Sequence, residues 1–530
     1  MNFFNFIKNH KTIFSLCFFI MLAVIVYGKS VKYDFVHFDD DVLILNNYEY
    51  ISDYKNIPKF FLNSVFCSNA DDDNFYRPVL TLSFLINAMI SGKEPYIYHA
   101  TNVFLHIVSI VLIYIFFRKL SFDGICLFLF MSLFAVHPAF THAVAWIPGR
   151  NDVLLAIFII SSLIILFDYF KNTQKQNLRL AVFYIMFAAA LFTKENAAVM
   201  IIAVPVFMFL FCANVSKKDY ITVICVMFFL SAAYAVLRKA ALGNPPVKEL
   251  DFIYVLQSIL VYFECLVIPY RIYLFPDKAD VNIITAISFI IILIPFAASF
   301  FFGIGRKKVL LFGAFWFLAF LLPVFMGASY ILTHRIYFVS LGGGFIFLEF
   351  FTSLAVKMRF LKKYIVFLNL ALVVIFAFSA YIHVNSFKNQ EVFLMNADIE
   401  HPGSEALILM HARYYAEQGR LDKAKKELSK IISKDGSYSE TYLEILGYVY
   451  ALEGEYDKAA AVFEHLHKQV PLNAAAVLHL SEIYFLKEEY QKALYYAGML
   501  VSMSKGNKTY IKQYDKIKSS AEKYENTDLK

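Results

Sequence analysis

Asp39, Asp40 and Asp41 stand in a row in the stretch Tyr33–Asn47, directly after an apolar segment at 12–27. Three adjacent carboxylates beside a run of Phe, Ile, Leu and Val need either water or a task, because a charge taken out of water is costly unless it is paired. Two readings are open: a solvated loop that helps to set topology, or ionisable groups held at a membrane face for chemistry. Lys194-Glu195-Asn196 breaks another apolar stretch, and is either a neighbour pair with no role or a pair facing a substrate. Histidine spacing gives no metal site. His99 and His106 are seven residues apart, about 10 Å along one helix face, and two ligands at about 2 Å from one zinc cannot bridge that gap. His137 and His142 are five apart with Pro138 between them, which is not the pairing of a metalloprotease helix. His99, Asn102 and His106 read as packing glue between helices, and Asp71-Asp72-Asp73 as a solvated turn.

The elements that must position these residues are membrane helices. The chain has 530 residues, 59% hydrophobic and 17% charged, with many apolar runs near the roughly 20 residues that a span needs. Its 49 Lys and Arg are spread over short loops, so the formal charge of +7 is no sign of nucleic-acid binding. Six cysteines include no Cys-x-x-Cys pair, and all but Cys67 lie in apolar runs, so neither a disulfide framework nor a zinc ribbon is indicated. Lys8 and Lys11 precede the first apolar stretch, but Val-Tyr-Gly-Lys-Ser follows it rather than a small-residue cleavage site, so an uncleaved anchor is expected.

Spans are expected at 12–27, 97–117, 122–138, 151–170, 179–193, 197–213, 220–238, 281–302, 308–326, 336–356 and 363–382. With the N-terminus inside, the inner loops carry Arg118-Lys119, then Lys171, Lys175 and Arg179, Lys217-Lys218, Arg306-Lys307-Lys308, and Lys357, Arg359, Lys362 and Lys363. This alternation requires 251–280 to cross an even number of times or to lie in the interface. The outer side then holds the long loop 28–96 with an interfacial helix near Pro78–Ile90, the segment His137–Asp152, Lys194-Glu195-Asn196 and Thr333-His334-Arg335. Past Pro402 the composition turns soluble and Ala-rich. Gly419-Arg420-Leu421-Asp422-Lys423-Ala424 recurs as Gly454-Glu455-Tyr456-Asp457-Lys458-Ala459 and as Glu488-Glu489-Tyr490-Gln491-Lys492-Ala493, at offsets of 35 and 34 residues. That is the tetratricopeptide period, and Ala412, Gly447 and Ser481 take the small positions of the first helices.

Phe38-Asp39-Asp40, Tyr76-Arg77-Pro78, Tyr98-His99-Ala100-Thr101-Asn102, His137-Pro138, Trp146-Ile147-Pro148-Gly149-Arg150-Asn151-Asp152, Lys194-Glu195 and His334-Arg335-Ile336-Tyr337 follow one another in an order that carries a resemblance. The chain resembles the transmembrane and tetratricopeptide repeat-containing proteins, a branch of the GT-C glycosyltransferases similar to protein O-mannosyltransferases. Two positions depart from the family pattern: Phe38 replaces the usual Trp, and His334 stands where Glu is common. The resemblance implies transfer of a hexose, mannose-like, from a polyprenyl-phosphate donor to a protein hydroxyl on the outer face. Asp39 or Asp40 would be the base that takes the hydroxyl proton. Arg77, Arg150 and Arg335 would hold the departing phosphate, and His99, His137, Lys194 and Glu195 would contact substrate. Each arginine has a plainer reading as an interfacial side chain reaching toward lipid headgroups.

The expected fold is all-α: a GT-C-like polytopic membrane bundle of about 11 spans in 1–385, a linker at 386–401, a tetratricopeptide α-solenoid at 402–506, and a capping helix and tail at 507–530. The first helices of the repeats offer Arg413, Tyr414, Glu417, Tyr448, Tyr450, His479 and Tyr484 to an extended peptide acceptor. Expected partners are a polyprenyl-phosphate-linked sugar, a protein or peptide acceptor and membrane lipid, with no nucleic acid. No resident cofactor or metal site is indicated, and a divalent-cation requirement is left open. The expected location is the bacterial inner membrane in preference to the endoplasmic reticulum, with the repeats on the periplasmic or lumenal side. Alternatives are a transferase that decorates a surface polysaccharide or lipid, and a non-catalytic scaffold that recruits partners through its repeats.

Overall fold

The computed structural model describes residues 11–66, 75–171, 177–243, 251–269, 274, 281–325, 331–358, 360, 362–432, 438–503 and 508–528. The Asp71–Asp73 run, Cys67 and most of 270–280 lie outside the described residues. Among those described there is no β-strand, and the chain divides into two compact units, Met1–Phe393 and Leu394–Lys530.

The first unit is built from α1 (Lys11–Tyr27), α2 (Pro78–Ser91), α3 (Pro95–Lys119), α4 (Gly124–Ala135), α5 (Arg150–Lys171), α6 (Asn177–Thr193), α7 (Met200–Phe211), α8 (Lys217–Leu242), α9 (Phe252–Val267), α10 (Ile283–Phe302), α11 (Lys307–Phe325), α12 (Ile336–Lys357) and α13 (Lys362–Val384), with α14 (Gln390–Glu400) following. Every span expected from the apolar runs is a helix. Seven of them are long and apolar enough to cross a membrane, and eight if α4 and Pro138–Ala145, bent by 46° at the His137-Pro138 break, are one span. Among the described residues the count falls below eleven because α11, α6 and α7, all expected as spans, have only 19, 17 and 12 residues and are not among these. At 1.5 Å per residue, each is shorter than a hydrocarbon core of about 30 Å. Apolar side chains such as Ile202, Phe209, Phe228, Phe229, Phe301 and Phe367 stay exposed on the bundle, which fits a lipid-facing surface.

Close helix approach is set by small residues. Added Cβ atoms at Gly313 on α11 and Gly342 on α12 would lie 2.6 and 2.5 Å from each other's carbonyl oxygens, so the two backbones touch there. The bundle's basic loops are stitched at one end. Lys119 pairs with Asp168 at 2.7 Å, and Arg306 holds Glu349 at 2.7 Å through its fork. The polar segments around residues 39, 77, 142–152, 194 and 334 meet one another elsewhere in the unit, as the site geometry below describes.

In the second unit three helix pairs follow: α15 (Glu405–Glu417) with α16 (Leu421–Leu428), α17 (Glu440–Leu452) with α18 (Tyr456–Gln469), and α19 (Ala474–Leu486) with α20 (Tyr490–Met503), and then α21 (Lys508–Asp528). Gly447 lies against the Phe463 ring, where an added Cβ would come within 2.7 Å of it, and Ala412 and Ser481 are fully buried. Gly419 and Gly454 end the first helices in the left-handed conformation. Glu488 takes the same turn at φ 62° in the third repeat, at a steric cost of about 1–2 kcal/mol. Of the residues expected to line a groove, Tyr484 is buried, stacks on Tyr496 and donates to Glu464, while His479 lies on Phe463. Those two serve packing between helices. Arg413 pairs with Glu417 on the surface of α15.

Candidate active site

The acidic loop is wound tightly. Leu43 N–H donates to the Asp39 carbonyl, and Asp41–Leu45 forms a single π-helical turn, a distortion often found at functional sites. The three carboxylates therefore point in different directions. Asp40 turns inward, is 1% exposed, and accepts the Val36 N–H through Oδ2 at 2.8 Å, so it ties the loop's entry to its first turn. Asp41 Oδ1 accepts from the Val42 N–H. Asp39 is half-buried and makes no side-chain hydrogen bond among the described residues, which leaves its carboxylate available. Burial foremost, and then the Asp41 charge, push Asp39 up to about 7, with Arg77 pulling the other way. Burial also raises Asp40 well above the usual carboxylate range, the Val36 bond offsetting only part of it.

Around Asp39 the helix ends deliver three cations and two further carboxylates. Arg77, just before α2, places its fork on Glu195 with contacts of 3.0 and 3.4 Å and lies over the Phe75 ring. Lys194 donates to both oxygens of Asp152 at 2.7 and 2.8 Å in a pair almost wholly closed to solvent. Asp152 sits in the first turn of α5, where the helix dipole favours a negative charge. It also senses the charges of Arg77 and Arg335, and His334 Nε2 is 3.9 Å from its Oδ2. Arg335 is half-buried at the start of α12. Asp39, Arg77, Lys194, Glu195 and Arg335 thus share one neighbourhood, with Asp152 and His334 between them. Behind the acidic loop, Trp146 packs against Phe38, His142 and His334 at 4.8 to 5.5 Å between ring centres.

Other expected site residues are engaged in hydrogen bonds inside the fold. Arg150 is fully buried. Its guanidinium donates to Asn102 Oδ1, Asn87 Oδ1, Ser83 Oγ and the Tyr98 carbonyl, and it stacks over Phe84. Its fork is thus engaged by side chains and a carbonyl of helices α2 and α3, which it ties together. His137 is tied in a similar way: its Nδ1 accepts the Ala139 N–H, its Nε2 donates to the Leu266 carbonyl, and the ring stacks on Phe140, so it caps the turn after α4. His99 is buried between the Asp34 carbonyl and the Tyr33 ring. Asp152, His142 and Trp146 are the residues that the sequence reading left without a role. An Asp in an apolar run was the available signal for Asp152; the two aromatic residues carried none. Among the described residues no group of three His, Cys, Asp or Glu side chains is assembled that could hold a metal ion.

Gly149 allows this packing. An added Cβ would run into the His142 carbonyl and lie 3.0 Å from Ala143 Cα, so the Ile147–Gly149 turn rests directly on the Thr141–Ala145 helix. Gly149→Ala should cost about 1–3 kcal/mol, the usual scale for overpacking, read as a lower midpoint in a thermal aggregation assay of the detergent-purified protein.

The tetratricopeptide repeat family profile matches residues 409–467 and 454–503. Protein O-mannosyl-transferase TMTC1 of Mus musculus is 35% identical over 142 residues, 26% of this chain and 15% of that protein. TMTC2 of Mus musculus is 33% identical over 145 residues, 27% of this chain and 17% of that protein. TMTC4 of Homo sapiens is 29% identical over 197 residues, 33% of this chain and 26% of that protein. The aligned segments thus span about a quarter or less of these relatives' own length. No solved structure matches. The chain is a helical membrane protein with tetratricopeptide repeats that is similar to these named transferases. Relatives from mouse, human, fruit fly and nematode give no support to a bacterial location over others.

Proposed function

We propose that the chain is a protein O-glycosyltransferase that moves a mannose-like hexose from a polyprenyl-phosphate donor to a protein hydroxyl at the outer membrane face. The observation that carries this reading is Asp39: a half-buried, unbonded carboxylate beside Arg77, which shares the neighbour Asp152 with Lys194 and Arg335. In this reading Asp39 takes the proton of the acceptor hydroxyl as its oxygen attacks the anomeric carbon. The bond from that carbon to the phosphate oxygen breaks, and the electron pair leaves with the polyprenyl phosphate. Arg335 and the outer edges of the Arg77–Glu195 and Lys194–Asp152 pairs stabilise the phosphate charge. Pairing of two cations to carboxylates holds them rigid, so they need not reorganise as the phosphate charge develops. Asp40 orients the loop. The names of the relatives support the sugar and the protein acceptor, and the repeats support an extended polypeptide partner.

The test is transfer by the purified protein from defined polyprenyl-phosphate sugars to a Ser/Thr peptide and to a folded protein, with and without EDTA. Transfer to both acceptors is expected. Truncation after Asn396 should leave transfer to the short peptide largely intact and sharply reduce transfer to the protein. Activity only on a glycan or lipid acceptor would favour the surface-decorating transferase, and no transfer from any donor would favour a scaffold. Loss in EDTA would bring in a divalent cation.

A further inference from the structure

We infer that the segment Asn385–Phe393, which the sequence places at the start of a linker at 386–401, is a positioning strap for the acidic loop, with Gln390 its central contact. The inference rests on the reading of Asp39 as the base. Each contact joins residues about 350 positions apart in the chain. Tyr33 Oη donates to Asn385 Oδ1 at 2.7 Å. The Asp34 N–H donates to the Lys388 carbonyl at 3.0 Å, and the His37 N–H donates to Gln390 Oε1 at 2.8 Å. Phe38 stacks on Phe393 with ring centres 5.7 Å apart, and Lys29 donates to the Tyr381 carbonyl one turn earlier. The strap thus accepts or covers groups from Tyr33, Asp34, His37 and Phe38, up to the residue that precedes Asp39.

The physical case is one of satisfied donors. The N–H groups of residues 34 and 37 belong to a stretch that is neither helix nor strand, so no ladder partner exists for them within the loop. Asp40 takes the Val36 N–H from inside and Gln390 takes the His37 N–H from the other side, which fixes two successive peptide planes immediately before Asp39. Gln390 is 6% exposed, and loss of its amide oxygen removes the acceptor of the His37 N–H, at a cost of about 1–3 kcal/mol for a buried hydrogen bond. Phe387 extends the hold: it packs on His142 at 5.2 Å and on Phe393 at 6.0 Å, joining the strap to the Trp146 cluster. A loop with only its own turns to hold it would let Asp39 turn toward water. Held by the strap, it keeps one geometry and its partly desolvated setting.

Charged groups facing Asp39 are Asp40 and Asp41 in its own loop and Arg77 before α2; Arg150 faces Asp40, and the strap adds Lys388 and Glu391, both exposed. None of these changes in Gln390→Leu, which removes the acceptor and keeps the bulk, or in Gln390→Glu, which keeps an acceptor oxygen. Both are made in the full chain. Hydrogen exchange of the amides of residues 34–40 should speed up in Gln390→Leu by tenfold or more, and stay near wild type in Gln390→Glu. In the same variant kcat should fall about 10- to 100-fold with the donor KM unchanged, the scale of a misplaced catalytic group. The acid limb of its pH–rate profile should move below that of wild type, because Asp39 gains water. Gln390→Glu should restore kcat to within a few-fold, with a limb at or above the wild-type position. Unchanged exchange and unchanged kcat in Gln390→Leu would overturn the strap. A fall in kcat with the acid limb fixed and no rescue by Glu would reduce Gln390 to general stability and equally overturn its positioning role. Absence of transfer by the wild type under every donor would sink the functional reading, and the exchange result would still report whether the strap holds the loop.

Discussion

Asp39→Asn is expected to lower transfer about a hundredfold or more, the usual scale for loss of a general base, while insertion and donor binding persist. The change is nearly isosteric, and Asp39 makes no side-chain hydrogen bond among the described residues, so no fold contact goes with it. Asp40→Asn should lose less than tenfold, because an amide oxygen can still accept the Val36 N–H. The pH dependence has a definite sign. A base works deprotonated, and burial with Asp41 beside it pushes Asp39 up to about 7, so the rate should fall as pH drops below about 7. Asp39→Asn should lack that limb. Linkage runs the other way for stability. A carboxylate whose folded pKa is raised binds its proton more tightly folded than unfolded, so stability is lost as pH rises from the ordinary aspartate range to about 7, and the loss is complete above it. Asp39→Asn should therefore be as stable as wild type or more so at pH 8, a gain bought at the site's expense. If both Asn variants keep near-wild-type transfer, the base lies elsewhere, and Glu195 is the next residue to change.

Lys194→Met should be among the most damaging single changes in the membrane unit. Asp152 keeps its charge in a setting almost closed to solvent and loses the two bonds of 2.7 and 2.8 Å that satisfy it. Removing one partner of a buried pair costs about 3–5 kcal/mol, enough to remove most folded protein from a detergent extract. The double variant Lys194→Met/Asp152→Asn should recover much of that stability, since neither charge is then left alone. It should not recover transfer, because one of the cations near the departing phosphate is gone and His334 has lost its neighbouring carboxylate. Size-exclusion profiles after graded heating measure the first effect, and transfer by the surviving double variant measures the second. A double variant no more stable than Lys194→Met would mean that Arg77 and Arg335, which Asp152 also senses, already compensate it.

What the chain alone determined is local and periodic. Apolar runs marked the long helices of the membrane unit apart from α9, because a span must satisfy its backbone internally and advertises this as unbroken apolar sequence. The 34-residue recurrence marked the repeats, because each pair packs on the next through the same small and aromatic positions, as Gly447 does on Phe463. The chemistry-bearing residues were legible as types: Asp39, Arg77, Lys194, Glu195 and Arg335 all come together. Their assignments to one another were not, since Arg77 meets Glu195 across 118 residues and Lys194 meets Asp152 across 42. Arg150 shows the limit most sharply. In sequence it is one more outward arginine beside a Pro-Gly turn; only the packing of α2 and α3 against it supplies the carbonyls and amides that use up its fork. Gln390 carried no signal at all, because an amide acquires meaning only from the N–H that folding brings to it. Composition and period dictate which segments leave water. Which polar groups are spent on the fold and which remain for chemistry is decided by long-range pairing, since a buried donor must find its partner wherever the chain has placed one.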